Sequence, residues 1–504
     1  MDMRALWIAG AVALLAGSAA MAAPVKVAVE TGVLVGQSDG SVLAFRGVPF
    51  ATPPVGALRW APPQAAKPWS GERDAAKSGP VCPQKVKAGV INEGGVDEIG
   101  AEDCLTLQVF APAGAKRAPV MVWVHGGGNT LGASSLGAYN GAAFAKDGVI
   151  LVSVNYRLGA LGFFAHPALT AAAKPGEPLS NYGLMDQIAA LQWVKRNIAA
   201  FGGDPSNVTL FGESAGGQDT LALLSIPSAK GLFQKAIVES GGGWGEPTPL
   251  AKAETEGDAI AQKAGAPAHA TVEQLRALPV DALVAATGRV GPVVDGRLMS
   301  ETITEAFRRG HAADVPLIIG SNSYEASLIA AVPVKLALTQ DPEALKAAYA
   351  DEKLDDRGLA DALFTDGIMG APARWIAGKA ASGAPSYLYY FSYVPEARRG
   401  KVPGAGHATE IPFVFASWDH LGALGLGITP SPSTLEITAV MHRCWVSFAK
   451  NGRPEKCAPG GWPAYDPVKD EAMEFGLSSG VRTHLRKPLL DAQEANRAPL
   501  LGEK

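Results

Sequence analysis

The chain has 504 residues, of which 47% are hydrophobic and 18% are charged, and its formal net charge is −4. This length and hydrophobic content allow a large buried core, in one large domain or in several ordinary ones. The charge is nearly balanced and forms no basic stripe, which argues against a nucleic-acid partner.

Residues 1–22 have the pattern of an export signal. Arg4 gives a positive start, residues 5–17 are apolar, and Ala20-Met21-Ala22 has the small residues of a cleavage site. The apolar stretch is too short to span a bilayer comfortably, and no later run reaches spanning length. We therefore predict cleavage after Ala22 or Ala23 and an exported protein, periplasmic or secreted, with no membrane span. An uncleaved N-terminal anchor is the alternative.

The mature chain, residues 23–504, begins with a predicted β-hairpin of residues 25–35 and 41–50. Apolar runs of strand length follow at residues 118–124, 148–154, 208–211, 235–239 and 315–319, with later candidates at 386–393 and 472–475. Runs that are apolar on both faces are typical of strands covered by helices on both sides. Helical patterns alternate with them, for example at 181–200 and 221–224, which predicts an α/β fold with a doubly wound, mostly parallel sheet.

Residues 245 to about 380 are rich in alanine and helical in pattern, and they interrupt the series of strands. Predicted strands occur before, within and after this interval. We therefore interpret it as helical excursions that form a lid or cap within a single domain of residues 23–504.

The four cysteines form two local pairs, Cys82 with Cys104 and Cys444 with Cys457. In an oxidising compartment each bridge would stabilise the fold by about 3 kcal/mol in the chain-entropy model. Proximity favours these two pairings among the three possible ones. A metal site is a weaker alternative, because no C-x-x-C motif or histidine cluster accompanies the cysteines.

Ser214 lies in Gly212-Glu213-Ser214-Ala215-Gly216, between an apolar run and a helical pattern. A strand, a tight turn with a serine and a helix together indicate the nucleophile elbow of an α/β-hydrolase. Side chains at Gly212 or Gly216 would collide with the neighbouring strand or helix, and the positive end of the helix points at the serine.

A serine nucleophile needs backbone N–H donors for the oxyanion and a histidine base. His125-Gly-Gly-Gly128 directly follows the strand of residues 118–124, as oxyanion loops of this fold do. Of the eight histidines, His407 is distinctive because it lies in a loop of small residues, 404–408, that leads into an apolar segment. His125 precedes the serine and fits the wrong chain order. The others lie among ordinary loop or helix residues; they are His166, His269, His311, His420, His442 and His484.

The acid that orients the base is expected between Ser214 and His407 in the chain. Glu325 follows the strand of residues 315–319 by a short loop, and such sheets place their active sites at the carboxyl ends of strands. Spacing alone favours Glu325 and leaves Asp295 and Asp366 as alternatives.

These segments together resemble the type B carboxylesterase family, the cholinesterase-like and para-nitrobenzyl-esterase-like branch of the α/β-hydrolases. The likeness covers almost all of the mature chain. It is carried by Arg46-Gly-Val-Pro-Phe-Ala51, Pro53-Pro-Val-Gly56, Leu58-Arg-Trp60, Glu102-Asp-Cys-Leu105, His125–Gly128, Asn155-Tyr-Arg157, Asn181-Tyr-Gly-Leu-Met-Asp-Gln187, Phe201-Gly-Gly-Asp-Pro205, Gly212–Gly216, Glu239-Ser-Gly-Gly242, Pro292-Val-Val-Asp-Gly296, Gly320–Glu325, Gly404–Phe415 and Trp462-Pro-Ala-Tyr465.

The resemblance implies a serine carboxylic-ester hydrolase that works through an acyl-enzyme, with no metal or organic cofactor and a small-molecule ester as its partner. It implies the triad Ser214, Glu325 and His407, and so settles Glu325 over Asp295. The resemblance also implies oxyanion donors, a disulfide and two buried ion pairs; these are the amides of Gly127, Gly128 and Ala215, the bridge Cys82–Cys104, and the pairs Arg46–Glu102 and Arg157–Asp186.

The chain departs from the family pattern at three positions near the site. Asn129 stands where an aromatic residue that borders the acyl pocket is usual, Glu239 replaces a usual glutamine, and Ala326 replaces a glycine. Amide, lactone or carbamate cleavage by the same site is an alternative, because the triad serves all acyl transfers. A non-catalytic binding protein of the same fold is a weaker alternative, because all three triad residues are present.

Overall fold

The structure is a computed structural model, and it describes residues 23–85, 100–244, 248–339, 341–418, 429–454 and 456–502. The predicted export signal and His420 lie outside this part of the chain. The main sheet has 13 strands and a two-stranded ribbon stands apart from it. The strands are β1 Ala23–Val29, β2 Gly32–Ser38, β3 Val42–Pro49, β4 Glu72–Asp74, β5 Thr106–Pro112, β6 Ala118–Val124, β7 Ile150–Val154, β8 Gly203–Glu213, β9 Lys235–Glu239, β10 Thr248–Pro249, β11 Val293–Val294, β12 Leu317–Asn322, β13 Ser386–Phe391, β14 Glu471–Phe475 and β15 Gly480–Thr483.

The strand order of the main sheet is β1-β2-β3-β5-β7-β6-β8-β9-β12-β13-β14-β15, with β4 paired to β2. The strands from β7 to β14 in this order run parallel to one another, and antiparallel strands extend the sheet at both ends. A parallel run of this kind brings the carboxyl ends of its strands to one edge, where open α/β sheets place their sites.

Every apolar run predicted as a strand after residue 100 forms one, so the α/β prediction is confirmed. The N-terminal hairpin was predicted with too few strands, because the chain also turns at residues 30–31 and makes β1 and β2 from the first segment. The prediction also missed β5, β15 and the short strands β4, β10 and β11. The residues of β5 are buried between β3 and β7 although they include the polar Thr106 and Gln108, which weakened the apolar pattern.

The helices cover both faces of the sheet and build the cap region. They are α1 Ala142–Lys146, α2 Gly159–Gly162, α3 Pro167–Ala172, α4 Tyr182–Asn197, α5 Ala215–Ser225, α6 Leu250–Lys263, α7 Val272–Arg276, α8 Val280–Ala286, α9 Ile303–Arg309, α10 Val334–Leu338, α11 Glu343–Ala347, α12 Asp356–Thr365, α13 Ala371–Ala380, α14 Ile411–Phe415, α15 Pro432–Asn451, α16 Lys487–Asn496 and α17 Ala498–Leu501. Within the described residues no helix combines the length and apolar character that crossing a membrane requires.

The central strands separate two hydrophobic cores. Along β6, Val120 and Val122 pack into one core with α4 and α5, whereas Met121 and Trp123 pack into the other with α14 and α15. This alternation follows from the two-residue period of a strand. Because both faces are covered, the central strands are mostly apolar, which is why their positions were predictable.

Two disulfides join Cys82 to Cys104 and Cys444 to Cys457, as the spacing predicted. The ion pairs differ from the expectation at one position. Glu102 accepts two hydrogen bonds of 2.7 Å from Arg59, not from Arg46.

Arg46 instead donates to Gln37 at 3.3 Å and lies over the ring of Phe110. The prediction of an Arg46–Glu102 pair is therefore wrong. Arg59 lies in another of the segments that carry the family likeness, Leu58-Arg-Trp60, and the path of the folded chain brings it, rather than Arg46, to Glu102. Arg157 lies against Asp186, with both side chains buried and two hydrogen bonds of 2.8 Å.

Candidate active site

Ser214 occupies the turn between β8 and α5. Its backbone has φ +56° and ψ −122°, a conformation that costs a non-glycine residue free energy and that clusters at functional sites. The flanking glycines permit the turn: a Cβ at Gly216 would lie 2.1 Å from the carbonyl oxygen of Val124, and one at Gly212 would lie 2.5 Å from Gly216. The predicted steric requirement for glycine at both positions is confirmed.

The glycine loop begins directly after β6 and packs against this turn. A Cβ built at Gly126 would lie 3.0 Å from the Cβ of Ser214. Gly127 and Gly128 have φ values of +107° and +62°, which glycine adopts without strain. The glycine loop therefore packs beside the serine turn in backbone conformations that most other residues would resist.

Glu325 and His407 are in direct contact. The Nδ1 atom of His407 lies 2.6 Å from Oε2 of Glu325. The other carboxylate oxygen of Glu325 accepts hydrogen bonds of 2.6 Å from the hydroxyl of Ser240 and from the backbone N–H of Asn322. Glu325 is fully buried and is thus fixed in orientation by three partners from three segments of the chain.

The loop that carries His407 is held against the loop that carries Glu325. Tyr324 donates its backbone N–H to Ala405 at 2.8 Å, and the hydroxyl of Ser327 accepts the backbone N–H of His407 at 2.8 Å. The imidazole is therefore positioned by its backbone as well as by its side-chain partner.

The second nitrogen of the imidazole, Nε2, has no hydrogen-bond partner among the described residues, so the structure contains no hydrogen bond between it and the Ser214 hydroxyl. Nε2 of His407 lies 3.0 Å from Oε1 of Glu213, the residue that directly precedes Ser214. Burial alone would lower the pKa of His407, but the negative charges of Glu213 and Glu325 outweigh it and hold this pKa well above its ordinary value. A general base works best with a pKa near the operating pH, and the charge of Glu213 favours the protonated imidazole, which must lose its proton before it can deprotonate a hydroxyl.

Three further carboxyl groups, those of Glu213, Glu239 and Glu410, lie buried around this contact, and of these only Glu239 was predicted near the site. Burial raises the pKa of Glu213 to about 7 and that of Glu410 to about 8, and it raises the pKa of Glu239 well above its ordinary value, with Glu410 adding to the effect. Glu410 accepts a hydrogen bond from the side chain of Asn322, and Glu239 accepts one of 2.8 Å from Trp445. For Glu213 the signal in the sequence was its position directly before Ser214. For Glu410 the signal was its place in the segment that carries His407.

The alternative acids have other partners. Asp295 accepts backbone N–H groups of its own loop and of Leu179, and Asp366 pairs with Arg486. His125 bonds to the adjacent carbonyl of Gly126 rather than to the serine turn.

A cavity of about 910 Å³ opens beside α5. Gln218, four residues beyond Ser214, and Trp244 line it on the side of the sheet. The opposite walls come from the cap, with α6, residues 289–293 and residues 360–368 among them. Residues of the interval interpreted as a cap therefore line much of this cavity, whereas Ser214, Glu325 and His407 are not among its lining residues.

The arrangement combines a strained serine, a buried carboxylate–imidazole pair and a glycine loop at the carboxyl ends of β6, β8, β9 and β12. Comparisons with known proteins agree with this arrangement. The model of the carboxylesterase family matches residues 23–355 and 343–492.

Two relatives of known activity cover most of the chain. The fumonisin B1 esterase of Sphingopyxis macrogoltabida is 34% identical over 88% of this chain and 85% of its own length, and the para-nitrobenzyl esterase of Bacillus subtilis is 35% identical over 89% and 94%. A solved PNB esterase structure superposes with a TM-score of 0.82 at 31% identity, over 93% of this chain and 99% of the other. The chain therefore has the α/β-hydrolase fold and belongs to the type B carboxylesterase family, as a carboxylic ester hydrolase.

Proposed function

We propose that the protein hydrolyses small-molecule carboxylic esters through a covalent acyl-enzyme on Ser214, with His407 as the general base and Glu325 as the acid that orients it. The observation that carries this proposal is the 2.6 Å contact between Glu325 and His407, whose far nitrogen lies 3.0 Å from the carboxylate of Glu213, the residue next to Ser214.

In the acylation step Oγ of Ser214 forms a bond to the ester carbonyl carbon, and His407 accepts the proton of the Ser214 hydroxyl. The tetrahedral intermediate then collapses, the bond to the alcohol oxygen breaks, and His407 returns the proton to the departing alcohol. In deacylation water takes the place of the alcohol, and the carboxylic acid and free serine are formed. Glu325 stays ionised and stabilises the imidazolium in both steps.

The oxyanion of the intermediate would be held by the backbone amides of Gly127, Gly128 and Ala215. The close packing of the glycine loop against Ser214 supports this assignment. Ala215 is also the first residue of α5, so its free N–H lies at the positive end of a helix. Removal of one such donor typically costs a factor of about 10²–10³ in kcat.

The test is Ser214→Ala with nitrophenyl esters of increasing acyl length. We expect turnover to fall by several orders of magnitude, and a serine-directed phosphonate should label Ser214 of the wild type, as located by peptide mass spectrometry. Ser225→Ala is the matched control, because Ser225 is a buried serine at the other end of α5. Wild-type turnover by Ser214→Ala would refute the proposal. Matched amides, lactones and carbamates in the same assay determine whether the site also accepts them.

We also propose that residues 1–22 are removed on export and that residues 23–504 act as one catalytic domain outside the cytoplasm. The two disulfides support an oxidising compartment. Mass measurement of the mature N-terminus, made on protein recovered from the periplasm and from the medium, tests the cleavage site and the compartment together.

A further inference from the structure

A carboxylate lies buried beneath the proposed oxyanion hole, five residues after Ser214 in α5. Asp219 has no exposed surface, and within the part of the chain that the structure describes it has no ion-pair partner. Its two oxygens accept hydrogen bonds from side-chain amides, one of 3.1 Å from Asn129 and one of 2.6 Å from Gln187. A buried charge without a cation is costly, so a carboxylate at this place requires a reason.

The first of these amides belongs to the glycine loop. Asn129 directly follows Gly128 and is 1% exposed, with a φ of +55°. Its carbonyl oxygen accepts a hydrogen bond of 3.2 Å from the hydroxyl of Tyr156, which also lies 2.7 Å from the backbone carbonyl of His125. Asn129 is therefore a buried member of this network, although an aromatic residue that borders the acyl pocket is usual at this position in the family.

The carboxylate thus joins the two elements that carry the proposed oxyanion donors. The loop supplies the amides of Gly127 and Gly128, and α5 supplies the amide of Ala215. Asp219 is rigidly part of α5, and through Asn129 it holds the end of the loop. Burial raises the pKa of Asp219 to about 7, and the hydrogen bonds from Gln187 and Asn129 oppose that rise, as expected if they favour the ionised form.

We propose that Asp219 is a positioning residue for ester hydrolysis: its bond to Asn129 fixes the amides of the glycine loop relative to the amide of Ala215. The proposal rests on the function assigned above, because it concerns the donors of that site. Preorganised donors stabilise the transition state more than the ground state, so their displacement lowers kcat and leaves KM nearly unchanged.

The first experiment compares Asp219→Ala with wild type using one nitrophenyl ester and one trifluoromethyl ketone, whose adduct with the serine carries an oxyanion. We expect Asp219→Ala to lower kcat by about 10–100-fold, a fraction of the effect of a lost donor, with KM within about threefold. The ketone should bind more weakly by a similar factor. Asn129→Gly, which tolerates the positive φ and removes the amide, should give the same pattern, and the double variant should be little worse than either single one.

A conservative variant separates positioning from mere packing. In Asp219→Asn the new carbonyl oxygen can still accept from Asn129. The NH₂ group of the new side chain can donate to Oε1 of Gln187 once the Gln187 amide has rotated by half a turn. This Oε1 atom is free to accept, because it is buried and has no hydrogen-bond partner among the described residues. We therefore expect Asp219→Asn to keep kcat within about threefold of wild type, because both contacts are restored. Ser225→Ala controls for the loss of a buried polar group from the same helix.

Thermal unfolding and phosphonate labelling are measured on every variant. The proposal is overturned if folded, fully labelled Asp219→Ala or Asn129→Gly keeps wild-type kcat, if their losses appear in KM alone, or if Asp219→Asn is as impaired as Asp219→Ala. Should Asp219→Ala not fold, Asn129→Gly and Asp219→Asn carry the test. If the phosphonate fails to label Ser214 in wild type, the proposed function itself is wrong, which is a different result.

Discussion

Replacing Glu213 by glutamine removes the carboxylate that lies 3.0 Å from Nε2 of His407 while keeping the shape of the side chain. Both side chains are nearly buried, at 4% and 8% exposure, so solvent screens this contact little. The negative charge of Glu213 favours the protonated imidazole. Its removal should lower the pKa of His407, and the base should stay neutral, and hence active, at more acidic pH.

The size of the effect follows from the distance. Two unit charges about 3 Å apart interact by roughly 5 kcal/mol at an effective dielectric constant of about 20. Glu213 is only partly ionised near neutral pH, because burial raises its pKa to about 7, so the realised effect is smaller. We expect the acid limb of the kcat/KM profile to move down by about 1–3 pH units, the usual range for one neighbouring charge. The remaining raising influence on the pKa comes from Glu325 and, more weakly, from Glu410.

The assay is kcat/KM against pH at constant ionic strength, followed by pH-stat titration so that detection does not itself depend on pH. The kcat/KM profile reports groups of the free enzyme. Glu436→Gln, an exposed carboxylate on α15, controls for the loss of one negative charge. An acid limb that stays in place or moves to higher pH in Glu213→Gln would show that this contact does not govern the base.

Two further changes test the framework of the site. Gly216→Ala should abolish activity and impair folding, because the new methyl carbon would lie 2.1 Å from a backbone carbonyl oxygen of β6. Circular dichroism and turnover measure the two effects. A well-folded, active variant would contradict the described turn. Arg59→Met should destabilise the fold by about 3–5 kcal/mol, since it leaves the carboxylate of Glu102 without its partner. Denaturant unfolding measures that loss, and Arg59→Met/Glu102→Leu should recover much of it; equal instability of the single and double variants would argue against the ion pair as the cause.

The sequence by itself determined the parallel centre of the sheet and the positions of the main functional segments. Strands such as β6 and β9 are buried on both faces, so their apolar runs stand out whatever lies around them. The serine turn was equally clear, because its steric demand for glycine on both sides is local. Local chemistry of this kind is visible in a sequence because neighbours in the chain impose it.

The tertiary structure decided which distant groups meet. The resemblance pointed to Arg46 as the partner of Glu102, yet the folded chain brings Arg59 to it. Likewise, Asp219 appears in the sequence as one polar residue of a helix, and only folding places it against Asn129, 90 residues earlier. Such contacts depend on the packing of separate elements to within an ångström. No local pattern of residues indicates that packing. The hydrogen-bond network of Asp219, Asn129 and Gln187 therefore could not be predicted from the sequence.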